Sequence, residues 1–434
     1  MFSFMENNSL KYGYAQALSY SNAIAEIFYS VMKKKYPLDR EIKSYFRKHD
    51  ECGSKDRFVI TESLFSLFRW YGWVKGKLPG GQPENSLKSK KFCVGLSAAL
   101  WLDNQPFAQF MEMLYDVAEV ETTWLQVSPE VIEDKIKGLS YSFKIRKCDV
   151  LDLIPEWFKK EISSDDDLVA MIRLLQKRSP VWIRIQNYSQ ELVLKELGAL
   201  GVDLCQHKMV SNAFKVSAGK FNAKDVEAYK NGLFEIQDLA SQCLGLVCEV
   251  RADQSWWDVC AGAGGKSLLL ADQMKGQGRI IATGNRKEIE KRATRANFKN
   301  IQIEDLDKVI LSQDSFDGVL VDAPCSCTGV WRRNPDLRWT SFEDVCERSA
   351  CVQKEILEFA CKKVKEGGVL VYATCSVSVQ ENEGVVTHFL KMFPEFELED
   401  FIHPFTGKST GGMIRVKFDP DDCDATFAAR FRRK

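Results

Sequence analysis

The sequence predicts an α/β protein: a doubly wound parallel sheet preceded by a small α+β domain and an all-helical N-terminal domain. Three observations carry that prediction. Strand-like and helix-like stretches alternate from Phe234 to the end of the chain. A short middle region holds strict two-residue alternation. The first 145 residues carry apolar stripes at three- and four-residue spacing. Alternating elements lay helices over both faces of a parallel sheet. The three-four spacing puts apolar side chains on one face of a helix.

The helical region reads as residues 1–145. Tyr14, Leu18, Ile24, Phe28 and Val31 fall roughly on one face. Ile60, Leu64, Leu67, Tyr71 and Val74 repeat at 4, 3, 4 and 3, with Ser54 or Asp56 as a helix cap. "KLPGGQPENS" breaks the pattern, and helical stretches resume near Phe92–Leu102 and Phe107–Val120. These stripes are most simply core packing.

Residues 146–235 read as the small α+β module. In "PVWIRIQ", Val181, Ile183 and Ile185 alternate with Trp182, Arg184 and Gln186, the pattern of a strand. Trp182 and Arg184 on one face could contact RNA or line an open sheet face. Helical "QELVLKELGALG" and strand-like "NAFKVS" follow.

Residues 236–434 supply the α/β alternation. "WWDVC", "RIIAT", "IQIE", "DGVLVDAP" and "VLVYAT" read as strands. Ser267–Met274, Lys287–Phe298 and Val345–Val364 read as helices, the last stopped by Gly367-Gly368. "MIRVKF" and "TFAARFRR" could pair antiparallel on one edge. Ligands of such sheets sit outside the carboxyl ends of the strands. Cys260, Asp322 and Cys375 all fall at such ends.

Composition bounds the function. The chain has 434 residues, 45% hydrophobic and 28% charged, with zero formal net charge. That is ordinary for globular domains. No apolar run approaches the roughly 18 residues of a membrane span. "MFSFMENNSLKYGYAQ" lacks the basic flank and apolar core of a secretory signal, so a cytoplasmic protein with no membrane partner is expected. The 14 cysteines are too sparse for a disulfide scaffold. Four scattered histidines and no CxxC pair make no case for a zinc site, and no metal is expected. Charge is uneven: residues 1–90 hold 15 Lys/Arg against 9 Asp/Glu, and residues 101–140 hold 2 against 8. A basic N-terminal portion could touch nucleic acid or be solvated surface.

Three segments carry chemistry. "DVCAGAGGKS", Asp258 to Ser267, joins a strand to a helix through a glycine-rich turn. Gly262, Gly264 and Gly265 permit close approach of a ligand, and the helix N-terminus offers N–H groups to an anion. It is neither a Walker loop nor a dinucleotide fingerprint. It suits a small nucleoside ligand with a carboxylate. "VDAPCSCTG" places Asp322 at a strand end and displays Cys325 from a turn stiffened by Pro324. "VYATCSVSVQENEG" displays a second thiol, Cys375. A thiol attacks only as thiolate, so the site needs helix N–H groups or positive charge, and Lys266 is a candidate source.

Together these segments resemble the RNA (cytosine-5) methyltransferase family, also called the Sun or Nol/Nop/Sun family. "CAGAGGK" is similar to its cofactor loop, "DAPCSCTG" to its proline-cysteine motif and "TCS" to its nucleophile motif. "QDLASQ" and "RRNPDLRW" match in kind and order. "PEWF" and "PVWIRIQ" resemble the family's substrate-binding pre-domain. The helical region, with "GSKDR" before an apolar helix, resembles the NusB-like RNA-binding domain of the bacterial 16S ribosomal RNA enzyme.

The resemblance implies a Rossmann-like methyltransferase domain using S-adenosylmethionine. It implies transfer to carbon 5 of a cytosine in RNA, ribosomal RNA favoured and transfer RNA also possible, by a monomer. Carbon 5 is a poor nucleophile until a thiolate adds at carbon 6, so covalent attack divides a hard step. By the same resemblance Cys375 attacks, Cys325 assists release, and Asp322 lies between base and cofactor. Cys260, Ala261, Gly262, Ala263, Gly264, Gly265, Lys266, Asp305 and Asp322 hold the cofactor, with Asp307 a near alternative to Asp305. The chain departs from the family in three places: Ala263 for the usual Pro, Cys327 for Gly or a small residue, and Gly284 for the acidic residue that binds the ribose hydroxyls. Asn285 could accept a hydrogen bond in its place. Gly284 keeps open a catalytically impaired RNA-binding or assembly protein of the same fold. A DNA-type mechanism, with Cys325 attacking, also stays open.

Overall fold

The computed structural model describes residues 2–123, 125, 130–164, 166–186 and 189–434, with side chains from residue 13 onward. The chain divides into two units. The first comprises Met1–Lys160, Ser164–Arg178 and Trp331–Glu343; the second comprises Glu161–Ser163, Ser179–Val330 and Asp344–Lys434.

The first unit is helical, with helices at Phe2–Lys34, Leu38–Lys48, Ser54–Val74, Lys90–Leu102, Ala108–Ala118, Ile132–Ser142, Leu168–Leu175 and Leu337–Thr340. The predicted stripe of Ser54–Val74 is buried at Ile60, Leu64, Leu67 and Val74. Tyr14 lies off its stripe, 43% exposed. Asp56 caps the Ser54 helix by accepting from the Gly53 N–H at 2.9 Å. Arg338, from "RRNPDLRW", is buried here and donates to the carbonyls of Leu153 at 3.0 Å and Leu175 at 3.2 Å. Asp103 is likewise buried, accepting from Arg69 and Ser66 at 2.8 Å. Such cations and carboxylates are tolerable inside because each is hydrogen-bonded.

The second unit begins with a four-stranded antiparallel sheet: β1 (Trp182–Ile185), β2 (Asp203–Gln206), β3 (Ala213–Ala218) and β4 (Phe234–Ile236), in the order β2-β3-β1-β4. One expectation fails here. The Trp182–Arg184 face is neither open nor free to meet RNA. The residues are 4% and 1% exposed. Arg184 Nε donates to Gln237 Oε1 at 2.8 Å, its guanidinium lies 3.7 Å from Asp272, and Trp182 Nε1 donates to the Asp422 carbonyl at 2.9 Å. Alternation tells that two faces differ, not that the polar one is wet.

The larger sheet has eight strands: β5 (Ser255–Gly262), β6 (Arg279–Gly284), β7 (Ile301–Ile303), β8 (Phe316–Asp322), β9 (Val364–Thr374), β10 (Phe396–Leu398), β11 (Met413–Val416) and β12 (Thr426–Arg433). Its order is β10-β12-β9-β8-β5-β6-β7, with β11 paired to β12. The run from β9 to β7 is parallel, and β12 joins β9 antiparallel. β11 and β12 pair antiparallel as expected on the β9 side of the parallel run, with β10 also paired to β12.

Both faces are covered. Trp256 packs with Leu239, Leu268 and Ala373 on one side, and its neighbour Trp257 packs with Leu357, Phe389 and Tyr372 on the other. Adjacent strand residues point to opposite faces, so two consecutive buried tryptophans require helices on each side. The helix expected to reach Val364 ends at Ala360, and β9 starts at Val364. Gly367-Gly368 lies inside the strand, where the β8–β9 register shifts, and forms an irregularity rather than a helix stop.

Candidate active site

The glycine-rich loop forms where β5 leaves β6. Register runs from Asp258↔Ala282 to Gly262↔Gly284, with a shift between. Gly264 then adopts φ +84°, which favours glycine, and starts the helix Gly265–Gln273. Backbone bonds pin the turn: the Gly264 N–H donates to the Ala261 carbonyl at 2.7 Å and the Asn285 N–H to the Gly262 carbonyl at 2.8 Å. Ala263 lacks the stiffness of proline, but Arg292 Nη1 holds its carbonyl at 2.9 Å. Beneath the loop Asp258 is fully buried and accepts from Ser267 Oγ at 2.6 Å. Burial pushes its carboxyl up to about 6.

A cavity of about 560 Å³ opens over the strand ends. Its lining includes Cys260, Gly262 and Lys266 from the loop, Thr283 and Gly284 from β6, and Asp322, Cys325, Cys327 and Cys375. Asp238, Ser241, Asp424 and Thr426 close another side. The volume falls within the roughly 300–1,000 Å³ of small-molecule sites. Thr426 Oγ1 is buried without a hydrogen-bond partner among the described residues, a polar atom available to a ligand. The Cα of Gly262 borders open space, since a Cβ there would meet nothing within 4 Å. A nucleoside with a charged tail fits such a lining: open glycine backbone, one cation, carboxylates and hydroxyls.

The predicted residues separate into groups. Cys260, Gly262, Lys266, Asp322, Cys325 and Cys375 line the cavity. Ala261, Ala263, Gly264 and Gly265 build the turn around it. Asp305 is outside the lining: it precedes the helix Leu306–Leu311, its carboxylate is 85% exposed and it lies 3.6 Å from Arg286. Lys266 Nζ donates to Asp322 at 2.6 Å. Burial lowers the Lys266 ammonium, but Asp322 outweighs this and holds it above its ordinary value. Burial pushes the Cys260 thiol up to about 12, which suits packing rather than attack.

The two displayed thiols are neighbours. Cys325 and Cys375 Sγ are 3.1 Å apart, and Cys327 Sγ is 3.7 Å from Cys375. The protons of this trio are shared. Hydrogen bonds from Cys325 and Cys375 draw Cys327 down, to about 4, and its thiolate in turn raises its neighbours.

Sequence reading missed what holds the thiols together. Glu381 is fully buried and accepts from the Ser326 N–H at 2.8 Å, from Ser376 Oγ at 2.6 Å, from Gln353 Nε2 at 2.9 Å and from Ser326 Oγ. Ser326 follows Cys325, and Ser376 follows Cys375. Asn382 adds a second tie, accepting from Thr374 Oγ1 at 2.7 Å and donating to the Ser376 carbonyl at 3.0 Å. The only signal was the polar "QEN" after the second cysteine, and nothing in it named a partner 55 residues away. Gly284 also has a structural reason. A Cβ there would come within 2.8 Å of the Gly262 carbonyl and 2.9 Å of its nitrogen. Asn285 Oδ1 accepts from the Glu288 N–H at 3.3 Å and caps the helix Arg286–Arg295.

A doubly wound sheet with a glycine-rich turn after β5 and a cavity over its strand ends defines a Rossmann-like methyltransferase domain. The crystal structure of PH0851 shares the fold over 95% of this chain and 99% of its own, at 23% identity and TM-score 0.72. A methyltransferase homolog from Pyrococcus horikoshii matches 69% of this chain and 98% of its own, at 22% identity and TM-score 0.54. NSun6 from the same organism, solved with SFG, matches 61% and 93%, at 20% identity and TM-score 0.53.

Sequence narrows the class further. Residues 246–432 match the family described as 16S rRNA methyltransferase RsmB/F. It is 30% identical over 301 residues to the probable ribosomal RNA small subunit methyltransferase B of Bacillus subtilis (strain 168), covering 64% of this chain and 66% of that one. It is 29% identical over 272 residues to ribosomal RNA small subunit methyltransferase B of Yersinia pestis bv. Antiqua (strain Angola), covering 59% and 61%. The chain thus spans just under two thirds of the length of these relatives.

Proposed function

We propose that the protein transfers a methyl group from S-adenosylmethionine to carbon 5 of a cytosine in RNA, through a covalent cysteine adduct. One observation carries the proposal: two thiols from separate strand ends, 3.1 Å apart, share a cavity with Asp322 and the glycine-rich turn. Bound S-adenosylmethionine would supply an electrophilic methyl group. Cys260, Ala261, Gly262, Ala263, Gly264, Gly265 and Lys266 would cradle it, with Asp322 toward the base and Asp305 near the adenine.

In the reaction Cys375 adds to carbon 6 of the base, and the ring gains enamine character at carbon 5. After methylation a base removes the carbon 5 proton and the thiolate leaves carbon 6. Cys325, beside it, assists release. Asp322 would offer a carboxyl to the cytosine N3 edge. Glu381 keeps both cysteine loops in register, so the thiols need no search when the base arrives. An unpaired or extruded base is required, since carbon 6 is inaccessible inside a helix.

The substrate is most simply ribosomal RNA, as the names of the relatives indicate, which would put the work in the cytoplasm; transfer RNA is the alternative. We assign RNA contacts to a NusB-like helical domain at 1–145 and a pre-domain at 146–235, with methyl transfer in 236–434. Bisulfite sequencing of total RNA from cells with and without the gene tests this. One cytosine should lose its methylation, and an unchanged map would overturn the enzyme reading. A non-catalytic RNA-binding or assembly protein is the second reading, favoured by the absence of a carboxylate at Gly284. Calorimetry with S-adenosylmethionine separates the two, because no binding at millimolar cofactor would select the second.

A further inference from the structure

We propose that Cys325, Cys327 and Cys375 form a three-sulfur site for one thiophilic divalent cation of the zinc class. The three Sγ atoms lie within 4.8 Å of one another, and each residue lines the same cavity. Zinc–sulfur bonds of about 2.3 Å at a tetrahedral angle hold two sulfurs roughly 3.8 Å apart. The Cys327–Cys375 separation of 3.7 Å meets that spacing, and the Cys325–Cys375 pair at 3.1 Å needs to open by only a fraction of an ångström. All three residues line the cavity, from which water can supply a fourth ligand.

Cys327 is the residue that turns a pair into a cage. Its φ is +58°, a backbone conformation that favours glycine and costs a side chain strain. Methyl transfer as described above gives it no task. Soft thiolates select soft or borderline ions over magnesium or calcium. The loops that carry the sulfurs are already tied by Glu381 through Ser326 and Ser376, so the ligands are preorganised. Spacing rules missed the site because its ligands come as one C-x-C and a cysteine 50 residues on.

Binding releases to solvent the proton of each coordinating sulfur that still carries one and commits the sulfur lone pairs to the cation. With Cys325 and Cys375 so held, neither can add to a base, and the loaded protein is a resting form. Cation binding is measured without cofactor or RNA, so its failure would leave the methyltransferase reading standing.

The test is a titration of the reduced, chelator-stripped full chain with Zn²⁺ against a chromophoric chelator, and with Cd²⁺ by its thiolate charge-transfer absorbance. One equivalent should bind with that absorbance. Outer-shell partners alone change metal affinity by about 10–100-fold, so Cys327→Gly and Cys327→Ser should each weaken binding at least tenfold. Glycine suits φ +58°, so Cys327→Gly keeps the fold. Cys351→Ser, at an exposed thiol outside the cavity, should bind as the parent does. No uptake, unchanged affinity in both Cys327 variants, or loss of uptake in Cys351→Ser would overturn the proposal.

Discussion

Glu381 accepts a hydrogen bond from the backbone N–H of Ser326 at 2.8 Å, and this tie fastens the Cys325 turn to the segment that follows Cys375. The two cysteines are 50 residues apart in sequence and 3.1 Å apart in space. The sheet brings their strands side by side through the β8–β9 pairing. The carboxylate bonds to both loops, through Ser326 and Ser376.

Glu381→Ala should therefore cost both stability and turnover. Leaving buried donors unpaired costs about 1–3 kcal/mol each, so a loss on the order of 3 kcal/mol is expected in denaturant unfolding. Methylation should fall in kcat more than in KM, because the thiols lose register while the cofactor turn is untouched. Equal kcat in the folded variant would show that the cysteine loops hold themselves.

Gly284→Asp should fail to improve cofactor binding, although it restores the acidic residue usual at this strand end. Its Cβ would collide with the Gly262 backbone at 2.8 Å. Overpacking of this kind costs about 1–3 kcal/mol. Calorimetry should show S-adenosylmethionine binding no tighter than in the parent, alongside a lowered Tm. Tighter binding with unchanged Tm would mean that the strand ends can separate.

Asp258 predicts a pH dependence. Its folded carboxyl titrates at about 6, against an unfolded value near 3.9. The folded state thus binds more protons in that interval, and stability falls as pH rises from about 4 to about 6, then levels off. The loss is on the order of 3 kcal/mol. Asp258→Asn should flatten this part of the profile in unfolding measured from pH 4.5 to 7.5 at constant ionic strength. A parallel profile in the variant would assign the dependence elsewhere.

Much of this architecture was legible in the chain. Alternating strands and helices announced the doubly wound sheet, and Cys260, Asp322 and Cys375 were placed at its strand ends from pattern alone. Motif order carried the resemblance to the RNA (cytosine-5) methyltransferase family. The failures share a physical cause: sequence patterns report local periodicity, whereas burial and pairing are non-local. Arg184 and Trp182 alternate as if facing water, yet Gln237 and Asp422 hold them inside. Glu381 sits in a polar run that resembles a loop and is fully buried. Gly284 reads as a lost carboxylate until the Gly262 backbone is seen against it. No periodicity carries such information, because each depends on a partner from another element.

The choice between the two thiols tests the central claim most directly. Cys325→Ser and Cys375→Ser proteins, each incubated with S-adenosylmethionine and substrate RNA, are resolved under denaturing conditions to detect protein covalently joined to RNA. With Cys375 as nucleophile and Cys325 as the releasing group, the Cys325→Ser protein accumulates an adduct and the Cys375→Ser protein forms none. An adduct in the Cys375→Ser protein that is absent from Cys325→Ser would contradict the account and make Cys325 the nucleophile.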